Sequence, residues 1–313
     1  MDADRAAGLV RQLALEEGFQ QCGISSADFL ESEAPKLEQW LRLGYQGKMH
    51  YLENHFDERL DPRKLVPGAR SVISLLYDYR PRLEIDPPSG LKIARYAYGE
   101  DYHVVIKEKL RSLTARMKEQ IGDFDGRVFV DSAPVMERQW AQRSGLGWLG
   151  KNGLLLNQQR GSYFFLAEII CDLDLTPDAP VADRCGTCTA CIDACPTAAI
   201  VQPGVVDSNR CISYLTIELK DSIPDEFQGR MDNWIFGCDV CQEVCPWNKF
   251  ARPHAEPRFD PKGEWPAFSA SEWKELTEEV FRKNFKGSAV KRTGYKGLVR
   301  NIAAATGAGT GGA

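Results

Sequence analysis

Ala6, Leu9, Val10, Leu13 and Leu15 recur at near-helical spacing behind Asp2 and Asp4, and the chain then turns through Gly18 into the run Cys22 to Ser25. That pattern predicts a helix leading into a strand. A second helix is expected over Pro35 to Leu43. Ser71 to Tyr77 (SVISLLY), after Pro67-Gly68, is rich enough in β-branched and aromatic residues for a buried strand. The most regular stripe is Val105, Ile106, Leu110, Leu113, Met117 and Ile121, which predicts one helix from Tyr102 to Ile121. A strand at Arg127 to Val130, a helix from about Pro134 to Ser144, and strand-like Gly153 to Leu156 and Tyr163 to Asp172 follow. Helix and strand alternating over one domain's length predict an α/β (α+β) fold for residues 1–178.

Asp78 to Leu91 carries three prolines and no apolar period, so it reads as a surface loop of the length often used as a lid. From Pro177 the composition shifts through PDAPVADR into a cysteine-rich stretch, and five prolines between Pro246 and Pro266 break regular structure again. The expected divisions are therefore 1–178, 179–250 and 251–313. The last holds two helical patterns, Ser271 to Phe285 and Ala289 to Ala305, and ends in TGAGTGGA, expected to be disordered. With 313 residues, 43% of them hydrophobic, the chain has enough apolar surface for cores that need no disulfide staples. No apolar run approaches the ~20 residues of a membrane span. Asp2, Asp4, Glu16 and Glu17 do not suit a secretory or twin-arginine leader. A cytoplasmic, monomeric protein with no membrane partner is expected.

Eight of the ten cysteines crowd into the middle segment, leaving Cys22 and Cys171 as expected buried thiols. In a reducing compartment such crowding binds metal rather than forming disulfides. Cys185, Cys188, Cys191 and Cys195-Pro196 have the spacing C-x2-C-x2-C-x3-C-P, and Cys238, Cys241 and Cys245-Pro246 repeat its second half, with Cys211 as the missing ligand. Three closely spaced thiolates hold three corners of a cubane, and the fourth cysteine ligates the other cluster. The crossed sets are one [4Fe-4S] cluster on Cys185, Cys188, Cys191 and Cys245, and another on Cys195, Cys211, Cys238 and Cys241. A pair of zinc ribbons would need neither the third cysteine nor the prolines. Two clusters make an electron relay, and the ~180 residues in front must bind whatever receives the electrons, so the protein reads as an enzyme.

Gly145-Leu-Gly147-Trp-Leu-Gly150 matches G-x-G-x-x-G but follows a helix, so a dinucleotide site is not expected. Asp101-Tyr-His103 has the start of a D-x-H-x-x-G corrinoid-ligand signature, yet Ile106 stands where glycine belongs, and His103 reads equally as a residue on a first helical turn. His50, His55 and His254 have no metal-ligand spacing. Asp131 ends a strand and precedes Ser132-Ala-Pro134. That position serves a general acid at a crevice or a helix N-cap equally well.

Taken together, Arg95-Tyr96-Ala-Tyr-Gly99-Glu-Asp101-Tyr102-His103, Val130-Asp131-Ser132-Ala-Pro134-Val-Met-Glu137-Arg138, Gly145-Leu-Gly-Trp148-Leu-Gly-Lys151-Asn152, and Cys211-Ile-Ser213-Tyr214-Leu-Thr216 beside the cluster motifs closely resemble the epoxyqueuosine reductases. The match runs in order from about Gly44 to Arg300. The resemblance implies a cobalamin-dependent iron-sulfur enzyme that reduces the epoxide of epoxyqueuosine at the tRNA wobble position. Asp131 matches the family's proton donor. Cobalamin would sit between the first domain and the cluster module with no histidine on cobalt, and by position Tyr96, Lys151, Ser213, Tyr214, Asp239 and Val240 are the candidates for its pocket. A protonated Asp131 near neutral pH would require burial beside the corrinoid. An external electron donor, such as a ferredoxin or flavodoxin, is implied.

A tRNA partner needs positive charge, and the net charge of −5 conceals it. Phe281 to Asn301 carries Arg282, Lys283, Lys286, Lys291, Arg292, Lys296 and Arg300 with no acid, so this piece is +7 and the remainder −12. Lys291, Arg292, Lys296 and Arg300, with Arg138 after Asp131, are the candidate tRNA contacts. Family members commonly continue into a longer HEAT-like helical domain, whereas here only one helical pair is expected. The competing readings are a corrinoid reductive dehalogenase and a ferredoxin-type electron carrier.

Overall fold

The structure is a computed structural model that describes residues 1–307; the last six residues of the expected disordered tail lie outside the described residues. The chain runs through α1 (Ala3–Glu16), β1 (Gln21–Ser26), α2 (Ala34–Arg42), the short α3 (Phe56–Leu60) and α4 (Pro62–Leu65), β2 (Ser71–Asp78) and β3 (Lys92–Ile93). It continues through α5 (Tyr102–Ile121), β4 (Gly126–Phe129), α6 (Glu137–Arg143), the hairpin β5 (Trp148–Leu149) and β6 (Leu155–Leu156), and β7 (Phe164–Cys171). Strands β1, β2, β7 and β4 form one sheet in that order, and every neighbouring pair is antiparallel. Of the two mixed classes, this sheet is α+β: its four strands have no parallel neighbours, and the parallel pair among the described residues is β3 with β10, outside it.

Side chains along β2 and β7 alternate between two covered faces, as the pleat requires. Ile73, Leu75, Phe165, Ala167 and Ile169 pack against Val10 and Leu13 of α1 and the Val105-to-Met117 stripe of α5. Val72 and Ile170 face Trp140 of α6, and Leu76 and Phe164 face Ala141 and Leu155. Burying each such large side chain is worth about 1.5–3 kcal/mol. Leu15 departs from its expected stripe and is 58% exposed, because Ala7 and Ala14, not Leu15, complete the buried face of α1. The helix expected from Pro134 starts only at Glu137, so Asp131 to Met136 stay irregular. The glycines of the G-x-G-x-x-G match belong to the β5–β6 hairpin: a Cβ on Gly147 would stand 2.1 Å from the carbonyl oxygen of Leu156.

Beyond β7 come α7 (Ala190–Asp193), β8 (Ile200–Gln202), β9 (Val205–Val206), α8 (Ile212–Ile217), β10 (Trp234–Phe236), α9 (Val240–Glu243), α10 (Ala270–Lys274), α11 (Glu278–Asn284) and α12 (Gly294–Thr306). The expected helix over Ser271 to Phe285 is two helices, since the Thr277 hydroxyl accepts the Val280 N–H and starts α11 afresh. A second core joins Leu91, Ile93, Ala97 and Tyr98 to Leu215 and Phe236 and to Trp273, Phe285 and Leu298 of the C-terminal segment, while Ala251 and Phe259 pack into the first core. Asn301, fully buried, ties these pieces together by donating to the carbonyls of Thr216 and Ile235 at 2.8 and 2.9 Å. The proline breaks thus mark where regular structure stops, while contacts between distant segments decide which core each piece joins. The 78–91 loop is not free to act as a lid. Its Arg80 donates to Ala251 O at 2.6 Å and accepts from His254 N–H, and Arg82 pairs with Asp260.

Candidate functional site

Asp131 follows β4 with φ of 44°, a left-handed conformation that costs a non-glycine residue about 1–3 kcal/mol and is tolerated where surroundings enforce it. Three groups do so here. The Tyr102 hydroxyl donates to Asp131 Oδ2 at 2.5 Å, the Asp131 N–H donates to Glu137 Oε1 at 2.5 Å, and Lys107 Nζ donates to Ser132 Oγ at 2.9 Å. Burial and the adjacent carboxylate hold the Tyr102 phenol well above its usual range, so it stays a donor. His103 stacks on Tyr102, bonds Asp101 through Nδ1 at 2.7 Å and brings Nε2 to 3.9 Å from Asp131 Oδ2. Its place is beside the carboxylate rather than on a metal. The Asp131 side chain is 64% exposed, so this chain alone does not supply the burial expected around it. Tyr102 and Glu137 were quoted in the family blocks without a role, and only the packing of α5 and α6 against β4 brings them to Asp131.

Behind Glu137 lies Glu168 of β7, fully buried, with neither carboxylate oxygen matched to a donor. Burial, then the charge of Asp131, pushes the Glu137 carboxyl up, and burial, then the charge of Glu137, pushes Glu168 well above the carboxylate range. A carboxyl raised on folding contributes stability that is present below its unfolded pKa, near ~4.3, and lost as pH climbs through the folded one. Glu168→Gln has no proton to lose. It is expected to raise Tm at pH 8 by about 2–4 °C and to change little at pH 4.5; equal shifts at both pH values in calorimetry would refute a proton held here.

The eight clustered thiols gather in two groups. Burial raises the Cys191 and Cys245 thiols, and the repulsion that adds to it comes from Cys245 for Cys191, and from Cys185 and Cys188 for Cys245. Cys211 feels Cys195, Cys238 feels Cys211 and Cys241, and Cys241 feels Cys211 and then Cys191, so the groups adjoin. Trp148 Nε1 donates to Cys185 Sγ at 3.4 Å and the Ala199 N–H to Cys195 Sγ at 3.2 Å, contacts that suit thiolate sulfur. Among the described residues, no three His, Cys, Asp or Glu side chains converge closely enough for a single metal ion. Two sets of four thiols fit cubane clusters in donor number and type.

The other candidate residues divide. Tyr96 is half-buried, its ring edge-on to Tyr102 at 6.0 Å and near Phe236, and a Cβ on Gly237, whose φ is +67°, would lie 3.5 Å from Tyr96 Cε1. It therefore stands between the Asp131 side and the loop entering Cys238. Ser213 and Val240 flank the same inner thiol group and are partly exposed. Asp239 and Tyr214 are engaged otherwise: Asp239 Oδ2 accepts from the Arg95 N–H and guanidinium at 2.8 and 3.1 Å, and the buried Tyr214 hydroxyl accepts from the Lys48 N–H. Lys151 lies at the outer thiol group, bonding Gly186 O at 2.7 Å.

The basic segment is less free than its charge suggests. Arg292 pairs bidentately with Glu218, Arg282 with Glu278 and Lys283 with Glu264. Arg300 caps α8 and the turn after it through the carbonyls of Leu215, Leu219 and Asp221, and Arg138 donates to Gly153 O. Lys286, Lys291 and Lys296 are exposed, with no ion pair among the described residues.

Residues 59–132 match the family described as "Epoxyqueuosine reductase QueG, DUF1730", and residues 184–248 match "4Fe-4S double cluster binding domain". The chain is 59% identical over 296 residues to the epoxyqueuosine reductase of Cyclobacterium marinum, covering 94% of each. It is 43% identical over 312 residues to that of Escherichia coli K12, covering 98% of this chain and 82% of that one. A crystal structure of epoxyqueuosine reductase with an epoxyqueuosine-modified tRNA-Tyr stem loop superposes with a TM-score of 0.89 at 33% identity, over 96% of this chain and 80% of that one. The Bacillus subtilis enzyme, with its catalytic aspartate loop swung out of the active site, superposes at 0.87 with 32% identity, over 96% of this chain and 81% of that one. An aspartate held on a strained loop, two adjoining sets of four thiols behind it and these likenesses along the whole chain lead to one conclusion: the chain belongs to the epoxyqueuosine reductase family.

Proposed function

We propose that this chain reduces the epoxide of epoxyqueuosine in tRNA, with cobalamin held over Tyr96, electrons relayed by clusters on the two crossed cysteine sets, and Asp131 as proton donor. The observation that carries this reading is the position of Tyr96. Its ring lies edge-on to Tyr102, which holds Asp131, and beside Phe236, two residues before Cys238. A group lying over Tyr96 adjoins both the acid and the inner thiol set. Cobalamin bound there supplies a strongly reducing cobalt centre. Tyr96 and Ser213, with Val240 and the backbone of Asp239, form its surroundings.

The chemistry requires two electrons and two protons: the epoxide oxygen leaves as water and its two carbons become a double bond. Asp131 delivers a proton to the departing oxygen. Tyr102 fixes the direction of the carboxyl and Glu137 the backbone of the loop, and a substrate bound against them would cover the exposed face of Asp131. The loop that the Bacillus subtilis structure describes as swung out is here held in by those same two bonds. The expected test is turnover of epoxyqueuosine-bearing stem loop by protein reconstituted with cobalamin and both clusters. Full corrinoid occupancy without turnover would reject the reading.

For the RNA, the free cations Lys291 and Lys296 remain the better candidates of the basic segment. Lys291→Ala with Lys296→Ala is expected to weaken stem-loop binding and to reduce the slope of log K against log salt by roughly one to two. Arg300→Ala should leave that slope unchanged and lower Tm instead, because its guanidinium is occupied by carbonyls.

A further inference from the structure

Cys185, Cys188, Cys191 and Cys245, the outer thiol set, line a cavity of about 680 Å³ that Tyr96 does not line. Its rim carries Lys151, Arg184, Lys249 and Arg252 and no carboxylate, in a chain whose net charge is −5. None of these four cations forms an ion pair among the described residues; Lys151 bonds only a carbonyl. Trp247 and Phe250 complete the rim. Trp148, bonded to Cys185 Sγ, meets Trp247 at 5.0 Å, and Trp247 meets the 42%-exposed Phe250 at 5.9 Å. Cys188 is itself exposed, whereas Cys238 of the inner set packs against the second core.

We propose that this rim is the docking surface for an acidic, low-potential one-electron carrier protein of the ferredoxin or flavodoxin class, and that electrons enter through the cluster on Cys185, Cys188, Cys191 and Cys245. The proposal rests on the cluster assignment made above. Cations around an apolar, aromatic centre suit a transient partner whose acidic surface is steered in and whose apolar tip excludes water over the cluster. At each encounter the carrier loses one electron and the outer cluster goes from the 2+ to the 1+ state, with no bond made or broken. Two encounters supply the pair that one epoxide consumes. The cluster on the inner set, whose Cys211 and Cys238 pack against the second core, then takes up the electron from the outer one.

The test uses the full chain with both clusters loaded and photoreduced flavodoxin as the probe, following cluster bleaching and the 1+ electron paramagnetic resonance signal by rapid mixing. The rate constant is expected to fall steeply with ionic strength, and Lys249→Glu with Arg252→Glu to lower it roughly tenfold or more at low salt. Reduction by methyl viologen radical, and stem-loop turnover driven by it, should stay at the parental level in the variant. A salt-independent rate, or a variant reduced by flavodoxin as fast as the parent, overturns the proposal. So does a variant that loses stem-loop affinity while flavodoxin reduction is unchanged, since the face would then bind RNA. Absence of viologen-driven turnover in the parent would reject the proposed reaction without touching the docking result.

Discussion

Replacing Cys245 with serine is expected to empty the cluster of Cys185, Cys188 and Cys191, more than forty positions upstream, while leaving the one beside it intact. Iron should fall from about eight to about four per chain. Chain distance predicts the opposite, since Cys241 is four residues away and belongs to the other set. The structure places Cys245, which follows α9, on the same cavity as Cys185, Cys188 and Cys191. Cys195→Ser is the mirror case and should empty the set of Cys211, Cys238 and Cys241. Iron and sulfide analysis with spectroscopy of the remaining cluster would read both. With the inner cluster gone, reduction driven by a protein donor should drop to background, because the relay has lost the member next to Tyr96. Loss of both clusters in either variant, with the fold retained, would contradict two separable ligand sets.

Asp131→Asn should lower kcat for epoxide reduction by roughly 10²- to 10⁴-fold, the usual worth of a positioned proton donor. Iron content and cobalamin binding should be unchanged, because Asp131 touches no cysteine and its side chain projects from the loop. Asparagine still accepts from Tyr102 and keeps the left-handed backbone, a conformation it tolerates well, so the loop itself should survive. A variant with parental kcat would exclude Asp131 as donor. A rise in KM with kcat unchanged would make it a binding residue only.

The cysteine chemistry was legible in the chain because cubane ligation imposes fixed spacings that two repeated motifs display directly. The α5 stripe was legible for a similar reason: six apolar residues at helical period can face the core in only one way. Leu15 was misplaced because a periodic match cannot tell a buried leucine from an exposed one when alanines nearby fit the sheet better. Asp131 could be singled out as a strand-end acid, but as sequence it was equally an N-cap. Its strained backbone and its bonds to Tyr102 and Glu137 exist only once α5, α6 and β4 meet. The corrinoid candidates transferred by position were mixed, since position says nothing of where a side chain ends. Asp239 turned to Arg95, and Lys151 went to the other cluster.

By itself the chain determined local periodicity, metal-ligand spacing and the presence of a basic stretch, all of which depend on neighbours within a few residues. Tertiary structure decided which thiols come together around one cavity, which acids meet in the core, and which of seven cations remain free. Those outcomes depend on desolvation and on partners brought from distant segments: Glu168 lies beside Glu137 across the sheet, and Arg292 is neutralised by Glu218, each through folding alone.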